Sequence, residues 1–176
     1  MSHEIFISYS RKDLNKVKAI KNEIERITGT GCWMDLNAIE SGAEQFTKNI
    51  VQGINDCRIF LFMLSNHSQL SHFATRELNF ALDKARQASN KHVVIVNIDN
   101  CSMSDEFLFL YGLRDAIMWD NQPQKEKLLK DIKNWLLNRE GEIVDDFFET
   151  FFTVALENPD KPLYNSLDRI IEGYGI

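Results

Sequence analysis

The feature that most constrains the fold is the segment "RIFLFML", Arg58–Leu64, in which every residue after the arginine is apolar. Such a run is typical of a strand buried on both faces, as in parallel sheets. "HVVIVNI", His92–Ile98, has the same character. The chain is therefore expected to build a sheet that is covered by helices on both sides.

The remaining apolar pattern alternates strands with helices. We predict short strands at Phe6–Ile7, in "CWMDL" and in "AIMWD". Four helices are predicted in the domain: Asp13 is the N-cap of the first, Ser71 is the N-cap of the third, and apolar stripes mark the first, second and fourth. These stripes comprise Leu14, Val17, Ile20, Ile24 and Ile27; Phe46, Ile50 and Ile54; and Leu128, Ile132, Trp135 and Leu136. This order predicts a flavodoxin-like α/β fold with a five-stranded parallel sheet.

The 176 residues suffice for one domain and a modest extension. We assign residues 1–138 to the domain and 139–176 to a C-terminal extension, which is acidic and rich in phenylalanine. Two short helices fit this extension. It either folds back onto the domain or reaches a partner.

Composition argues against several classes of function. A formal net charge of -6 and a pI near 5.2 argue against binding to nucleic acid. The longest apolar run is too short to cross a membrane, and no secretory signal opens the chain. Three widely spaced cysteines indicate a reduced, cytoplasmic protein. Cys32 and Cys57 are expected to be small core residues.

Motifs for metals and nucleotide cofactors are absent from the sequence. The four histidines form no HxxxH or HExxH pattern, so no metal site is expected. The first strand leads into "SYSRKD" rather than GxGxxG or GxxxxGK, so neither a dinucleotide cofactor nor a P-loop is supported. The polar cluster in this position is either one wall of a site or a strand end followed by a helix cap.

Four segments, "FISYSRKD", "WMDLNAIESG", "RIFLFMLS" and "SHFATREL", together resemble successive sequence boxes of a Toll/interleukin receptor (TIR) domain of the bacterial kind. The resemblance extends from about Glu4 to about Leu137. It implies a five-stranded flavodoxin-like sheet, which agrees with the pattern above. Some TIR domains are adaptors, whereas many bacterial and plant members cleave NAD+, as a substrate, at the nicotinamide–ribose bond.

The resemblance implies a catalytic glutamate early in the third helix, at Glu77, within a serine–aromatic–glutamate arrangement of Ser71, Phe73 and Glu77. Many relatives have tryptophan at the position of Phe73. Because Phe73 and Glu77 are four residues apart, they share a helix face at the edge of the core. The alternative is a solvated glutamate paired with Arg76 or Lys84.

Further substrate-binding residues follow from the resemblance. Ser10 and Arg11 match the nucleotide-binding loop after the first strand, and the guanidinium of Arg11 suits a phosphate. The alternative is that Ser10 and Asp13 only cap the helix while Arg11 is solvated. Trp33 and Asp35 lie at the end of the second strand, where Trp33 is either core or ligand platform.

Ile39 lies in the segment that matches the family's BB loop, which in family enzymes often completes the NAD+ site of a neighbouring subunit. Self-association through TIR–TIR contacts is therefore expected, with an effector or sensor protein as a further partner.

Two functions remain open from the sequence. One is an NAD+ glycohydrolase or ADP-ribosyl cyclase acting in antiphage immunity, and the other is a non-catalytic scaffold that acts through TIR–TIR contacts, including a mimic of host adaptors. Glu77 favours the enzyme, and the phenylalanine at position 73 favours the scaffold.

Overall fold

The structure is a computed structural model that describes residues 3–34, 43–112 and 115–137, with side chains in the second helix from Thr47 onward. Asp35, Ile39 and the predicted extension 139–176 lie outside these residues. The strands are β1 (Ile5–Ser8), β2 (Cys32–Met34), β3 (Ile59–Leu64), β4 (His92–Asn97) and β5 (Ile117–Met118). The helices are α1 (Leu14–Thr28), α2 (Ala43–Asp56), α3 (His72–Gln87), α4 (Asp105–Tyr111) and α5 (Gln122–Leu137).

The five strands form one parallel sheet in the order β2-β1-β3-β4-β5. β1 pairs with both β2 and β3, and Ser8 at its carboxyl end lies opposite Phe62. This topology confirms the predicted flavodoxin-like order. It places the carboxyl ends of β1 and β3 side by side, where ligands bind in open α/β sheets.

Two apolar clusters cover the two faces of the sheet. Because side chains alternate along a strand, Ile59, Leu61 and Met63 face one cluster and Phe60, Phe62 and Leu64 face the other. The first cluster includes the buried faces of α1 and α5, and the second includes those of α2, α3 and α4. Every residue of β3 is buried, as the continuous apolar run predicted.

Most of the predicted helices are confirmed, with one helix missed. α1 ends at Gly29, whose φ of 70° suits glycine. Ser71 caps α3 through its hydroxyl, which accepts from the Ala74 amide at 3.3 Å. The sequence analysis did not predict α4, although Ser104 caps it by accepting from the Phe107 amide at 3.2 Å. The apolar residues of α4, Phe107–Tyr111, are consecutive in the sequence, so they do not show the spacing of three or four residues that indicates a helix.

Candidate active site

The polar cluster after β1 forms one wall of a cavity at the carboxyl edge of the sheet. The cavity has a volume of about 390 Å³, within the range of small-molecule sites. The start of α3 supplies the opposite wall. The lining residues are Phe6, Ile7, Tyr9, Ser10, Arg11, Lys12, Ser71, Phe73 and Glu77.

Glu77 lies at the edge of the core, as the helical spacing predicted. Its neighbours Ala74 and Leu78 are buried, whereas Glu77 itself is half-buried. The hydroxyl of Ser8 donates a hydrogen bond of 2.6 Å to Glu77 Oε2, and Ser8 is only 1% exposed. A buried donor holds the carboxylate in one orientation, because few other positions keep this bond.

Sequence reasoning did not assign a role to Ser8, although a signal was present. Ser8 is two residues after Phe6, so both side chains point to the face of the sheet that α3 covers. A buried polar residue on that face needs a hydrogen-bond partner. The partner is 69 residues away in the chain, in α3.

Side-chain hydrogen bonds connect the loop between β1 and α1 to the loop after β3. Asp13 accepts a 2.6 Å hydrogen bond from the Ser65 hydroxyl, and its other carboxylate oxygen lies 2.9 Å from His67 Nδ1. Ser65 is fully buried, and its hydroxyl also accepts from the Ser68 amide at 2.9 Å. These bonds fix the wall that carries Ser10 and Arg11.

This loop confirms the predicted N-cap position of Asp13 and corrects the expectation that the side chains of Ser10 and Asp13 cap the helix. A 3-10 turn at Arg11–Asp13 precedes α1. Ser10 is the N-cap residue of this turn, and Asp13 is the N-cap residue of α1. Neither side chain makes a capping hydrogen bond. The Asp13 carboxylate is engaged instead by Ser65 and His67, which draw it away from the amides of its own helix.

Cationic groups of the loop after β1 and the aromatic ring of Phe73 line the cavity together with the Glu77 carboxylate. Arg11 and Lys12 are exposed, and Ser10 is 8% exposed. The ring of Phe73 is 48% exposed at the mouth, which is unusual for phenylalanine beside a core. The cavity thus combines an oriented anion, two cations and an accessible aromatic face, which suits a ligand with phosphates and a ring.

The structure separates Trp33 from these residues. Its ring packs on Phe6 with centroids 4.6 Å apart, and it is partly buried against the second apolar cluster. Trp33 is therefore a core residue in this structure, one of the two alternatives left by the sequence. Asp35 and Ile39 lie outside the described residues, so their predicted contacts with substrate stay predictions.

No cysteine is among the described residues that line this cavity. Burial raises the pKa of Cys32 to about 12, and burial with the neighbouring Asp99 raises that of Cys101 to about 12. Burial also raises the pKa of Cys57. Within residues 3–34, 43–112 and 115–137, no group of three metal-ligating side chains comes together.

Over the same part of the chain, no helix is long and apolar enough to cross a membrane.

Solved structures with similar folds are TIR domains. The TIR domain of the Toll-related receptor TRR-2 from Hydra magnipapillata is 14% identical, with a TM-score of 0.57 over 74% of this chain and 98% of that chain. The TIR domains of the activated Roq1 resistosome, which recognises the pathogen effector XopQ, are 15% identical, with a TM-score of 0.50 over 98% of this chain and 99% of that chain. At these identities the likeness concerns the fold.

No curated protein sequence matches the chain significantly. The family model described as "TIR domain" matches residues 5–132, which contain all five strands, both walls of the cavity and Glu77. The chain therefore belongs to the TIR domain family.

Proposed function

We propose that this protein is a TIR enzyme that cleaves the nicotinamide–ribose bond of NAD+. The observation that carries the proposal is the Glu77 carboxylate, which Ser8 holds at 2.6 Å in a cavity that also contains Arg11 and Lys12. The products are nicotinamide and ADP-ribose, a cyclic isomer of it, or a base-exchange conjugate.

The chemistry assigned to Glu77 follows from the charge that develops during cleavage. As nicotinamide departs, positive charge grows on the ribose in an oxocarbenium-like transition state, as in glycoside cleavage. A fixed carboxylate beside the ribose stabilises that charge without reorganising during the reaction. Hydrogen bonds from the ribose hydroxyls to the same carboxylate would place the sugar.

The other lining residues have roles that match the rest of the substrate. Arg11 and Lys12 face the pyrophosphate, and the hydroxyl of Ser10 adds a donor to the same wall. The half-exposed ring of Phe73 offers a stacking surface. Phenylalanine provides this surface without the indole N–H that many relatives have at this position.

Assembly is part of the proposal, because Phe73, Arg11 and Lys12 at this cavity are exposed within the part of the chain that the structure describes. A second copy that covers this side would exclude water and strengthen the electrostatic stabilisation. We assign this contact to the segment around Ile39, through self-association. Specific activity would then rise with protein concentration, and Ile39→Asp would lower it.

The biological role we propose is cytoplasmic immune signalling, against phage in a bacterial host. NAD+ depletion or an ADP-ribose-type signal to an effector protein would serve this role. The activated Roq1 resistosome, which recognises a pathogen effector, contains TIR domains of similar fold. That likeness supports an immune role for the fold and leaves the trigger open.

Incubation of the protein with NAD+ tests the proposal directly. Chromatography should show nicotinamide in equal amounts to the ADP-ribose-type products, at a rate per molecule that rises with protein concentration. Protein that remains folded and releases no nicotinamide at any concentration would refute the enzymatic proposal.

A second candidate function, a scaffold that acts through protein contacts, is favoured by one surface. α4 exposes three consecutive apolar side chains: Leu108 is 46% exposed, Phe109 90% and Leu110 53%. Contiguous exposed apolar residues mark interaction sites. Phe109→Ser should abolish partner binding or self-association if the scaffold function holds, in a protein that shows no NAD+ cleavage.

A further inference from the structure

A chain of hydrogen bonds that begins at Asp13 joins the two walls of the candidate active site. The Asp13 carboxylate accepts from the Ser65 hydroxyl at 2.6 Å. Ser65 and Ser68 bond to each other twice, because the amide of each donates to the hydroxyl of the other, at 2.8 and 2.9 Å. The Ser71 amide then donates to the Ser68 carbonyl at 3.0 Å. Since Ser71 is the N-cap of α3, the chain of bonds ends at the helix that carries Glu77.

Burial protects this network from water. Ser65 and Ser68 are fully buried, and the side chain of Asp13 is 12% exposed. A bond lost in such surroundings leaves a buried polar group unsatisfied, which costs more than the loss of a bond at the surface. The second oxygen of Asp13 lies 2.9 Å from His67 Nδ1 in the same loop. The position of the Asp13 carboxylate relative to the loop after β3 is therefore closely defined.

Asp13 stands directly behind the cationic wall of the cavity. It is not among the described residues that line the cavity, whereas Ser10, Arg11 and Lys12 are. One turn of backbone connects them, because the Asp13 amide donates to the Ser10 carbonyl at 2.8 Å. A carboxylate that is held in one place thus holds residues 10–12 in place as well.

We infer that Asp13 is a positioning residue, which acts through Ser65 to hold residues 10–12 at a set distance from Glu77. The inference rests on the proposed cleavage of NAD+, whose pyrophosphate and ribose contact the two walls at once. Without the bond to Ser65, residues 10–12 sample arrangements that do not bind the pyrophosphate, and the apparent dissociation constant rises as the competent fraction falls. Glu77 keeps its own hydrogen bond from Ser8, so the chemical step changes less than binding does.

The sign of the effect separates positioning from a direct effect of charge. Asp13 carries a negative charge next to Arg11 and Lys12 in the chain. If this charge acted directly on the substrate, its removal would end a repulsion of the pyrophosphate and tighten binding. Positioning predicts the opposite sign, because removal of the carboxylate releases residues 10–12 and weakens binding.

Steady-state kinetics with NAD+ test the role of Asp13. Asp13→Ala removes both acceptor oxygens, and we expect KM to rise about tenfold while kcat changes less than about threefold. The matched control is Asp56→Ala, at an exposed aspartate near the end of α2 that accepts a hydrogen bond of 3.0 Å from Gln52. It should retain the KM of wild type. A wild-type or lower KM in folded Asp13→Ala would overturn the inference.

Two further variants test the route through Ser65. Asp13→Asn keeps one acceptor oxygen, so it gives a result even if the alanine variant folds poorly, and its KM should lie between those of Asp13→Ala and wild type. Ser65→Ala should raise KM as Asp13→Ala does, and the double variant should be no worse than either, because all three lose the same bond. Additive increases in KM would overturn the route through Ser65.

Backbone order, measured by protein NMR, separates this inference from the proposed activity. In Asp13→Ala the order parameters of the Arg11 and Lys12 amides should fall from about 0.85 toward about 0.6, and in Asp56→Ala they should not change. This fall would support the positioning role even in a protein that cleaves no NAD+. Cleavage of NAD+ without the fall would overturn the positioning role and leave the proposed activity standing, and absence of both would overturn both.

Discussion

Polar side chains lie beside buried strands at both ends of the sheet, but they bond to backbone carbonyls at one end and line a cavity at the other. At the amino end, Arg58 donates to the carbonyls of Trp135 and Leu136 near the end of α5. Lys91 donates to the carbonyls of Ile54, at 2.6 Å, and of Cys57 near the end of α2. At the carboxyl end, Ser8 and Glu77 bond to each other at the wall of a cavity.

The difference shows which polar clusters are candidates for chemistry. Helix C-termini leave backbone carbonyls without intrahelical partners, and cations there also interact favourably with the helix dipole. Arg58 and Lys91 meet this structural need. At the carboxyl end, a carboxylate and two cations line one cavity that is large enough for a small ligand. Four predictions test this division.

Glu77→Gln should produce the largest effect. It removes the charge and keeps the shape, so kcat for NAD+ cleavage should fall about 10²–10³-fold or more, with a smaller change in KM. The melting temperature should stay close to that of wild type. Glu106→Gln, at an exposed glutamate in the first turn of α4, is the matched control and should retain full activity. A folded Glu77→Gln protein with wild-type kcat would disprove the assignment of Glu77.

Arg58→Met should affect stability alone. It keeps much of the apolar stem and removes the charged donors from the carbonyls of α5. We expect the free energy of unfolding in urea to fall by about 2 kcal/mol, the worth of one or two hydrogen bonds to a charged group. Arg86→Met breaks an exposed ion pair with Asp83 and should cost less than about 0.5 kcal/mol. A reduced kcat in the folded Arg58→Met protein would contradict a purely structural role for the polar groups at the amino end of the sheet.

Ser8→Ala should lower kcat about tenfold, because one hydrogen bond to a charged group contributes roughly 1.5 kcal/mol. Alanine fits the buried position, so the effect should come from a less well oriented Glu77. Ser8→Cys should lie between alanine and wild type, since a thiol is a weak donor. Steady-state kinetics on the three proteins check the order. Equal kcat values would show that Ser8 only fills space.

The sequence predicted most of the fold, because continuous apolar runs and helical stripes determine which residues enter the core. α4 was missed because its seven residues contain too few turns to show a period. For the site, the resemblance to TIR domains implied that Glu77, Phe73, Ser10 and Arg11 belong together, and all four line one cavity. The catalytic and substrate-binding roles of these residues stay predictions.

Two details of the site depended on tertiary contacts that sequence spacing does not reveal. The bond between Ser8 and Glu77 joins side chains from β1 and α3, which only the finished sheet brings together. The Asp13 carboxylate could accept hydrogen bonds either from the amides of its own helix or from side chains in the loop after β3. It bonds to Ser65 and His67 in that loop, because the buried Ser65 hydroxyl needs an acceptor.

The smallest predicted effect concerns the response of stability to pH at the amino end. Burial and the nearby Arg58 lower the pKa of His92, whose ring stacks on Trp135 with centroids 4.2 Å apart. As the pH falls below about 6.5, the unfolded chain protonates this histidine before the folded protein does. The unfolded state therefore binds more protons in that window, and the free energy of unfolding decreases toward acid.

His92→Phe keeps an aromatic ring on Trp135 and removes the titrating group. Urea unfolding at about pH 7.5 and about pH 5.5 should show a smaller acid loss of stability in His92→Phe than in wild type. The other three histidines are present in both proteins, so the difference isolates His92. Arg58→Met should also shrink the acid loss, because it removes the neighbouring positive charge. If acidification destabilises His92→Phe as much as wild type, protonation of His92 does not couple to folding at this end of the sheet.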